Sequence, residues 1–324
     1  MTAARVPAPV PAPVPAPVLK PSASPLIVLT LSVLGFSFAA PLVRLSHAEP
    51  LVIATWRLGF SLIIVAVALL GSGTWRAWAQ VTRGDFVLSG AGGVLLALHF
   101  WSWNTSLRYT SVAASVSLVN LQPAMIAVIS ARWLGERPAR RQWVGIAVAI
   151  TGALVVGLAD LPGGARGIVS ALGSNGSGGR ALLGDGLAIV GALTASCYYL
   201  IGRKVRQALA LWPYVGLVYG AAFVTLVALS VATRTQLGPQ PPREIGIFAA
   251  LAVGPMLLGH TGLNWALGHL PAYIVNLTVL GEPIGATLLA AIIPGIGEIP
   301  GPGVLVGGVI VLAGVYLAAK REAS

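Results

Sequence analysis

Apolar residues in this 324-residue chain come in runs of about 20, with polar residues gathered in the short gaps between them. A helix of about 20 residues at 1.5 Å per residue crosses the roughly 30 Å hydrocarbon core of a bilayer, so each run predicts a spanning helix. The predicted spans are 26–45, 50–70, 84–105, 110–131 and 141–158, then 182–202, 213–232, 244–267, 271–294 and 303–319. Three segments break the pattern. Residues 1–25 carry a Pro-Ala-Pro-Val repeat from Pro7 to Val18, which predicts a disordered, polyproline-like tail. Residues 159–181 are rich in Gly and Ser and predict a flexible connecting loop, and residues 321–324 form a short second tail. The expected fold is an all-α integral membrane protein of ten transmembrane helices, in two five-helix blocks at 26–158 and 182–320. The proline tract separates the amino terminus from the first apolar run, unlike the basic start and immediate apolar core of a signal peptide, so cleavage is not expected.

Composition agrees with lipid as the solvent: 56% of residues are hydrophobic and 9% charged. The formal charge of +11 would suggest nucleic acid in a soluble protein. Here the basic residues stand between apolar runs, where they set topology, and no nucleic-acid partner is expected. With the amino terminus inside, one face collects thirteen of the 20 Lys and Arg residues: Arg5, Lys20, Arg76, Arg83, Arg132, Arg137, Arg140, Arg141, Arg203, Lys204, Arg206, Lys320 and Arg321. Arg44, Arg108, Arg166, Arg180, Arg234 and Arg243 make six on the other, and Arg57 lies within a span. Both termini are therefore expected in the cytoplasm, with the chain in the cell membrane.

Sliding the chain over itself exposes an internal correspondence. A shift of 160 aligns Asn104 with Asn264, Leu107 with Leu267 and Pro123 with Pro283. A shift of 162 then aligns Gly135, Glu136 and Pro138 with Gly297, Glu298 and Pro300, Gly145 with Gly307, and Gly152 with Gly314. Blocks of five spans, an odd number, must enter the membrane in opposite orientations, so the repeat is inverted. Inverted halves can exchange conformations about a central site, a physical route to alternating access.

The residues that carry a family resemblance are Trp56-Arg57, the run from Leu107 to Pro123 ending Leu-Gln-Pro, and Leu134-Gly135-Glu136-Arg137 followed by Trp143, Gly145 and Gly152. In the second half they are Gly184-Asp185, Leu280-Gly281-Glu282-Pro283 and Gly297-Glu298. On these the chain resembles, over residues 26–320, the EamA-type transporters of the drug/metabolite transporter superfamily. The resemblance implies a ten-helix inverted-repeat carrier that exports small metabolites, amino acids or drugs across the cytoplasmic membrane. An insertion displaces the second Gly-Glu pair, and Pro294 to Gly303 is unusually rich in Gly and Pro, so the match is loosest between the ninth and tenth spans.

Candidate chemistry lies in the polar residues inside the spans. Of nine acidic residues only Glu282 falls within a span rather than in a loop or at a span end. An intramembrane carboxylate is costly unless it faces a cavity or has a partner, which makes Glu282 the candidate for proton coupling; the alternative is an acid that fixes a kinked helix. Pro283 and Pro123 each remove an amide donor and predict a kink, with Gln122 standing where the second half has Glu282. The third span ends with His99, Trp101, Trp103 and Asn104, and the eighth contains His260, Asn264 and Trp265, each set expected along one cavity wall. The tryptophans also suit a membrane interface. Asn120, Asn276 and Tyr198 with its neighbour Tyr199 are further candidates, for which helix-to-helix bonding or core packing is the plainer reading. Arg57 reads either as a contact for an anionic substrate or, more readily, as a structural arginine that snorkels to the interface or pins a helix. Gly216 with Gly220 and Gly281 with Gly285 have the spacing of close helix packing. The four histidines are scattered, at 47, 99, 260 and 269, and Cys197 is the only cysteine, so no metal site, disulfide, cofactor or catalytic constellation is expected. The expected function is transport of a small molecule, with a channel or membrane receptor as the alternative.

Overall fold

The structure, a computed structural model, describes residues 23–110, 112–136, 138–159, 177–297, 299 and 301–319. The amino-terminal tail up to residue 22, the centre of the connecting loop, Arg137, Glu298, Pro300 and residues 320–324 lie outside the described residues. Among the described residues every regular element is helical. The first half holds α1 (Pro25–Ser37), α2 (Ala39–Leu45), α3 (Pro50–Ser72), α4 (Arg83–Ser106), α5 (Val112–Val119), α6 (Gln122–Trp133) and α7 (Arg140–Ala159). The second holds α8 (Ser177–Val205), α9 (Leu211–Ala232), α10 (Pro242–Leu251), α11 (Gly262–Leu267), α12 (Ala272–Leu277), α13 (Glu282–Ile292) and α14 (Pro302–Ala319). Among the described residues, seven helical stretches are long and apolar enough to cross a bilayer: Pro25–Leu45, Pro50–Ser72, Arg83–Ser106, Leu183–Val205, Leu211–Ala232, Pro242–Leu267 and Ala272–Ile292.

Local chemistry sets the ends of these helices. Pro25, Pro50 and Pro242 stand in first turns, where a missing N–H leaves no bond unmade. The hydroxyl of Thr82 accepts from the Asp85 amide (3.1 Å) and caps α4. Gly73, at φ 66°, ends α3 in a left-handed turn that a side chain would strain.

Two expectations need correction. Residues 177–181, expected in the loop, already belong to α8, whose residues Leu183–Val205 form an apolar stretch long enough to span. The fourth predicted span, 110–131, is two helices, α5 and α6, interrupted at Asn120 and Leu121. Gln122 and Pro123 open α6, and Glu282 and Pro283 open α13 after a 3-10 turn at Thr278–Gly281. The expected bend beside Pro283 thus takes the form of one tightened turn. An unexpected distortion fills Ala252–Thr261, ten residues of π-helical winding with Pro255 inside. Pro255 cannot donate to the carbonyl of Leu251 and its ring crowds that carbonyl, and a wider winding relieves the clash.

Helices of the two halves interleave. α4 packs on both α8 and α9, α3 on α9, α1 on the π-helical segment, and α7 on α14. The buried core therefore lies between the halves, with Leu58, Leu96, Phe100, Tyr199, Tyr219 and Leu263 among its members. Large apolar side chains such as Ile63, Val67, Leu70, Val224, Val231 and Ile292 point outward and are exposed. An outer surface of that kind suits lipid, not water.

Candidate functional site

Between the two halves is a narrow cavity of about 30 Å³ to the centre of a water-sized sphere, room for a water or two. α1 and α2 contribute Phe36 and Ala39, α3 contributes Arg57, and α4 contributes His99, Phe100 and Trp103. Val119, Asn120 and Gln122 enter from the α5–α6 break, Tyr199 from α8, His260 from the π-helical segment, and Val279 and Glu282 from the turn that starts α13.

Aromatic rings enclose His260. Phe36 meets it edge-on at 4.8 Å between centroids, Phe100 at 5.1 Å and 90°, and Tyr199 stacks on it at 5.9 Å and 8°. Tyr199 Oη lies 2.9 Å from His260 Nδ1, and His99 Nδ1 lies 2.9 Å from the Gly191 carbonyl. A carbonyl only accepts, so His99 carries its proton on Nδ1 and presents Nε2 as an acceptor.

Two charged side chains line the same space. Glu282 is 5% exposed and stands in the first turn of α13, where the helix dipole favours a carboxylate. Arg57 is 1% exposed, which rules out the snorkelling form of the structural reading. Its guanidinium lies 4.0 Å from the centroid of the Phe100 ring, and Nη2 approaches the Met256 sulfur at 3.7 Å. Inserting an arginine at mid-membrane costs about 2.5–3.5 kcal/mol on translocon scales. A desolvated cation–π contact returns about 2 kcal/mol and a thioether is a weak acceptor, so much of the guanidinium's bonding capacity is unused. Nε and Nη1 have no hydrogen-bond partner.

Of the residues singled out in the sequence, Arg57, His99, Trp103, Asn120, Gln122, Tyr199, His260 and Glu282 meet at this cavity. Others stand behind it. Asn276 accepts from Gln122 Nε2 at 2.6 Å and donates to the Ala272 carbonyl at 2.9 Å. Asn264 donates to the His260 carbonyl (2.8 Å) and to Tyr198 Oη, and the Tyr198 ring packs 4.6 Å from that of Tyr199. Asn104 donates to the Pro50 carbonyl at 3.4 Å. Two lie apart: Trp101 is 37% exposed on the outer surface, and Trp265 packs against His269 at 4.5 Å. Pro123 and Pro283 sit in the first turns of α6 and α13 and set the breaks that bring Gln122 and Glu282 to the wall. Phe36, Ala39, Phe100, Val119 and Val279 were missed, because an apolar residue in an apolar run carries no signal of its own.

Polar clusters close the bundle at both ends. The 26-residue stretch Pro242–Leu267 carries one at its start and another at its finish, so a helix of membrane-spanning length separates them. At the start, Glu244 accepts from Ser46 Oγ (2.5 Å), the His47 amide (3.2 Å) and Arg243 Nη1 (3.0 Å). At the finish, Glu136 accepts from Arg203 Nε (2.6 Å) and the Ala272 amide (2.9 Å), while Arg203 Nη1 donates to the Leu267 carbonyl (2.8 Å). Nearby, Arg206 donates to the carbonyls of Asn264 (3.0 Å) and Leu209. Burial lowers its pKa to about 10 against the opposing pull of Tyr214. Each cluster ties the first half of the chain to the second.

Comparison with known proteins adds three findings. The model of a family described as the EamA-like transporter family matches residues 23–158 and, a second time, residues 182–320. A solved structure described only as "Crystal structure of protein" superposes with a TM-score of 0.69, covering 91% of this chain and 96% of its own at 17% sequence identity, a likeness of fold. No curated protein matches.

Proposed function

The chain belongs to the EamA-like transporter family, within the drug/metabolite transporter superfamily, and from that premise we propose that it is a secondary active exporter working by alternating access. As a member it is a multi-pass membrane protein whose partners are the lipid bilayer and a small-molecule substrate. The observation that carries the proposal is a buried cavity walled by both matched segments, with both Arg57 and Glu282 in its lining. The closing clusters around Glu136 and Glu244 support it, since a carrier needs a separable contact at each end of its site.

In this reading the chain makes ten spans as two inverted five-helix repeats at 26–158 and 182–320, with both termini in the cytoplasm. The matched breaks before Pro123 and Pro283 support that pairing. The cavity, closed here to the size of a water or two, widens in the cycle to hold the substrate, and Glu282 exchanges a proton. Substrate contact falls to Arg57, Trp103, Asn120, Gln122 and His260, with Asn104, Asn264, Asn276 and Tyr198 holding the walls in place.

Counterflow in proteoliposomes tests this. The wild-type protein is expected to exchange labelled for unlabelled substrate and to run faster under an imposed pH gradient. The Glu282→Gln protein is expected to keep the exchange and lose the acceleration. Undiminished response to the gradient in that variant would remove the coupling role. A current that needs no substrate on the opposite face would favour a channel.

A further inference from the structure

Among the described residues, every buried side-chain nitrogen left without a hydrogen-bond partner belongs to Arg57 or Trp103: Arg57 Nε, Arg57 Nη1 and Trp103 Nε1. Both residues line the central cavity. The remaining unpartnered side-chain atoms are oxygens, and of these only Asn120 Oδ1 belongs to a lining residue. The unpartnered nitrogen donors thus converge on one place, and that place contains a permanent positive charge, while the unpartnered hydroxyls of Ser89 and Tyr214 lie outside its lining.

A structural arginine directs its donors to carbonyls. Arg206 does so with Asn264 and Leu209, and Arg203 with Leu267 and the Glu136 carboxylate. Arg57 reaches no carbonyl or carboxylate. A ring face and a thioether hold its guanidinium instead, and neither uses its N–H groups as an oxygen would. A planar cation with several donors is matched by a planar oxyanion. Among the described residues Arg57 is the one Lys or Arg side chain in the lining, so the cavity offers a single permanent positive charge, which suits a monoanion better than a dianion such as a phosphate monoester. Phe36, Ala39, Phe100, Val119 and Val279 make much of the remaining lining apolar or aromatic.

We infer that the transported molecule carries a single carboxylate, received by Arg57 with the Trp103 indole N–H as a second donor, on a small body that the aromatic walls enclose. This rests on the carrier reading and narrows its substrate class.

The test uses the full-length protein in proteoliposomes and pairs of compounds that differ only in the group at issue: acetate and acetamide, benzoate and benzamide, alanine and alaninamide, phenylalanine and phenylalaninamide. A metabolite extract of the expressing cells is assayed for exchange in parallel. The expected result is that every compound exchanged bears a carboxylate and that its amide runs at least about tenfold slower, because a site built to bond one group rejects the analogue lacking it. Arg57→Gln should bring the acid rate down to that of the amide, and Arg57→Lys, which keeps the charge without the planar donor set, should fall between. Gel filtration and thermal melting check that each variant folds; a merely structural role would slow acid and amide together and leave their ratio unchanged. If Arg57→Gln fails to fold, the ratios of the wild-type and Arg57→Lys proteins decide. Wild-type exchange of amides as fast as acids, an acid preference that survives Arg57→Gln, or exchange only of extract compounds without a carboxylate would overturn the inference and leave the carrier standing. Exchange of nothing, from either the pairs or the extract, would remove the carrier reading and this inference with it.

Discussion

Gln122 and Glu282 occupy equivalent places, each beside a proline at the head of a helix that follows a break. Their chemistry differs: the amide of Gln122 is bound to Asn276 at 2.6 Å, whereas Glu282 faces the cavity with Arg57 among the other lining residues. Gln122 thereby joins α6 to α12. Side-chain hydrogen bonds between membrane helices contribute about 0.6 kcal/mol on average and up to about 1.7. Gln122→Leu should lower the detergent melting stability by about 1 kcal/mol, because Asn276 Oδ1 loses its donor. Gln122→Leu with Asn276→Leu should cost less than the sum of the single changes, since neither partner then remains unsatisfied. A double-mutant cycle by thermal melting measures that difference. Polar residues inside apolar runs were legible as candidates from the sequence alone, and Arg57, Trp103, Asn120, Gln122, His260 and Glu282 do share the cavity. Which polar residue faces the cavity and which faces a neighbouring helix was not legible. That depends on how each helix is rotated against its neighbours, and it separates Asn264 and Asn276, bonded behind the wall, from Asn120 on it.

Close helix contacts give a test at the scale of elements. A Cβ added at Gly93 would lie 2.5 Å from both the Ala221 Cβ and the Val218 carbonyl of α9, and 2.9 Å from the Ala222 amide. Three residues earlier on the same helix, Gly90 has nothing within 4 Å. Gly93→Ala should destabilise by about 1–3 kcal/mol, since backbone cannot yield as a flexible side chain does. Gly90→Ala should be neutral or gain up to about 1 kcal/mol from helix propensity. Melting of the two variants side by side separates packing from propensity. The small-residue pairs read from the sequence divide in the same way. Gly281 and Gly285 press on Val33 and Ser37 of α1, and Gly216 on Leu69 and Trp78, but Gly220 faces open space. Spacing alone does not say whether a helix lies opposite. Span positions were readable because an apolar run of membrane length has few other uses, and the breaks at Pro123 and Pro283 were readable from proline. Pro255 lay in plain view within the eighth predicted span, yet the answer to it, π-helical winding instead of a kink, was set by packing against α1 and α3.

Across the whole molecule, the proposed alternating access would have the clusters around Glu136 and Glu244 open in turn on either side of the cavity. On a Cys197→Ser background, a cysteine at Val279 reports access to the cavity. Glu136→Ala removes the acceptor of Arg203 and Ala272, and Glu244→Ala that of Ser46 and His47. Hydrogen bonds to a charged group contribute about 1.5–3 kcal/mol, so each change should raise the open population on its own face on the order of ten- to a hundredfold. The rate of maleimide modification at Val279→Cys, applied from one face and then the other, should rise from the Glu136 face in the first variant and from the Glu244 face in the second. Equal acceleration from both faces would argue against separate closures. The charge asymmetry of the loops makes a companion prediction: in intact cells an impermeant maleimide should label Gln236→Cys and spare Gln80→Cys, both exposed positions.

The contact between Arg57 and the Phe100 ring bears on the half of the proposed cycle in which no substrate is carried. In that cycle the site returns without substrate after each release, and a bare guanidinium enclosed in the bundle would make that return stroke slow. The ring face and the Met256 sulfur give the charge a resting place that needs no ion and yields readily to one. Phe100 thereby governs turnover more than affinity: Phe100→Leu should leave the first loading of a fresh protein nearly intact and slow every reset that follows, which pre-steady-state and steady-state rates compared on one preparation would separate.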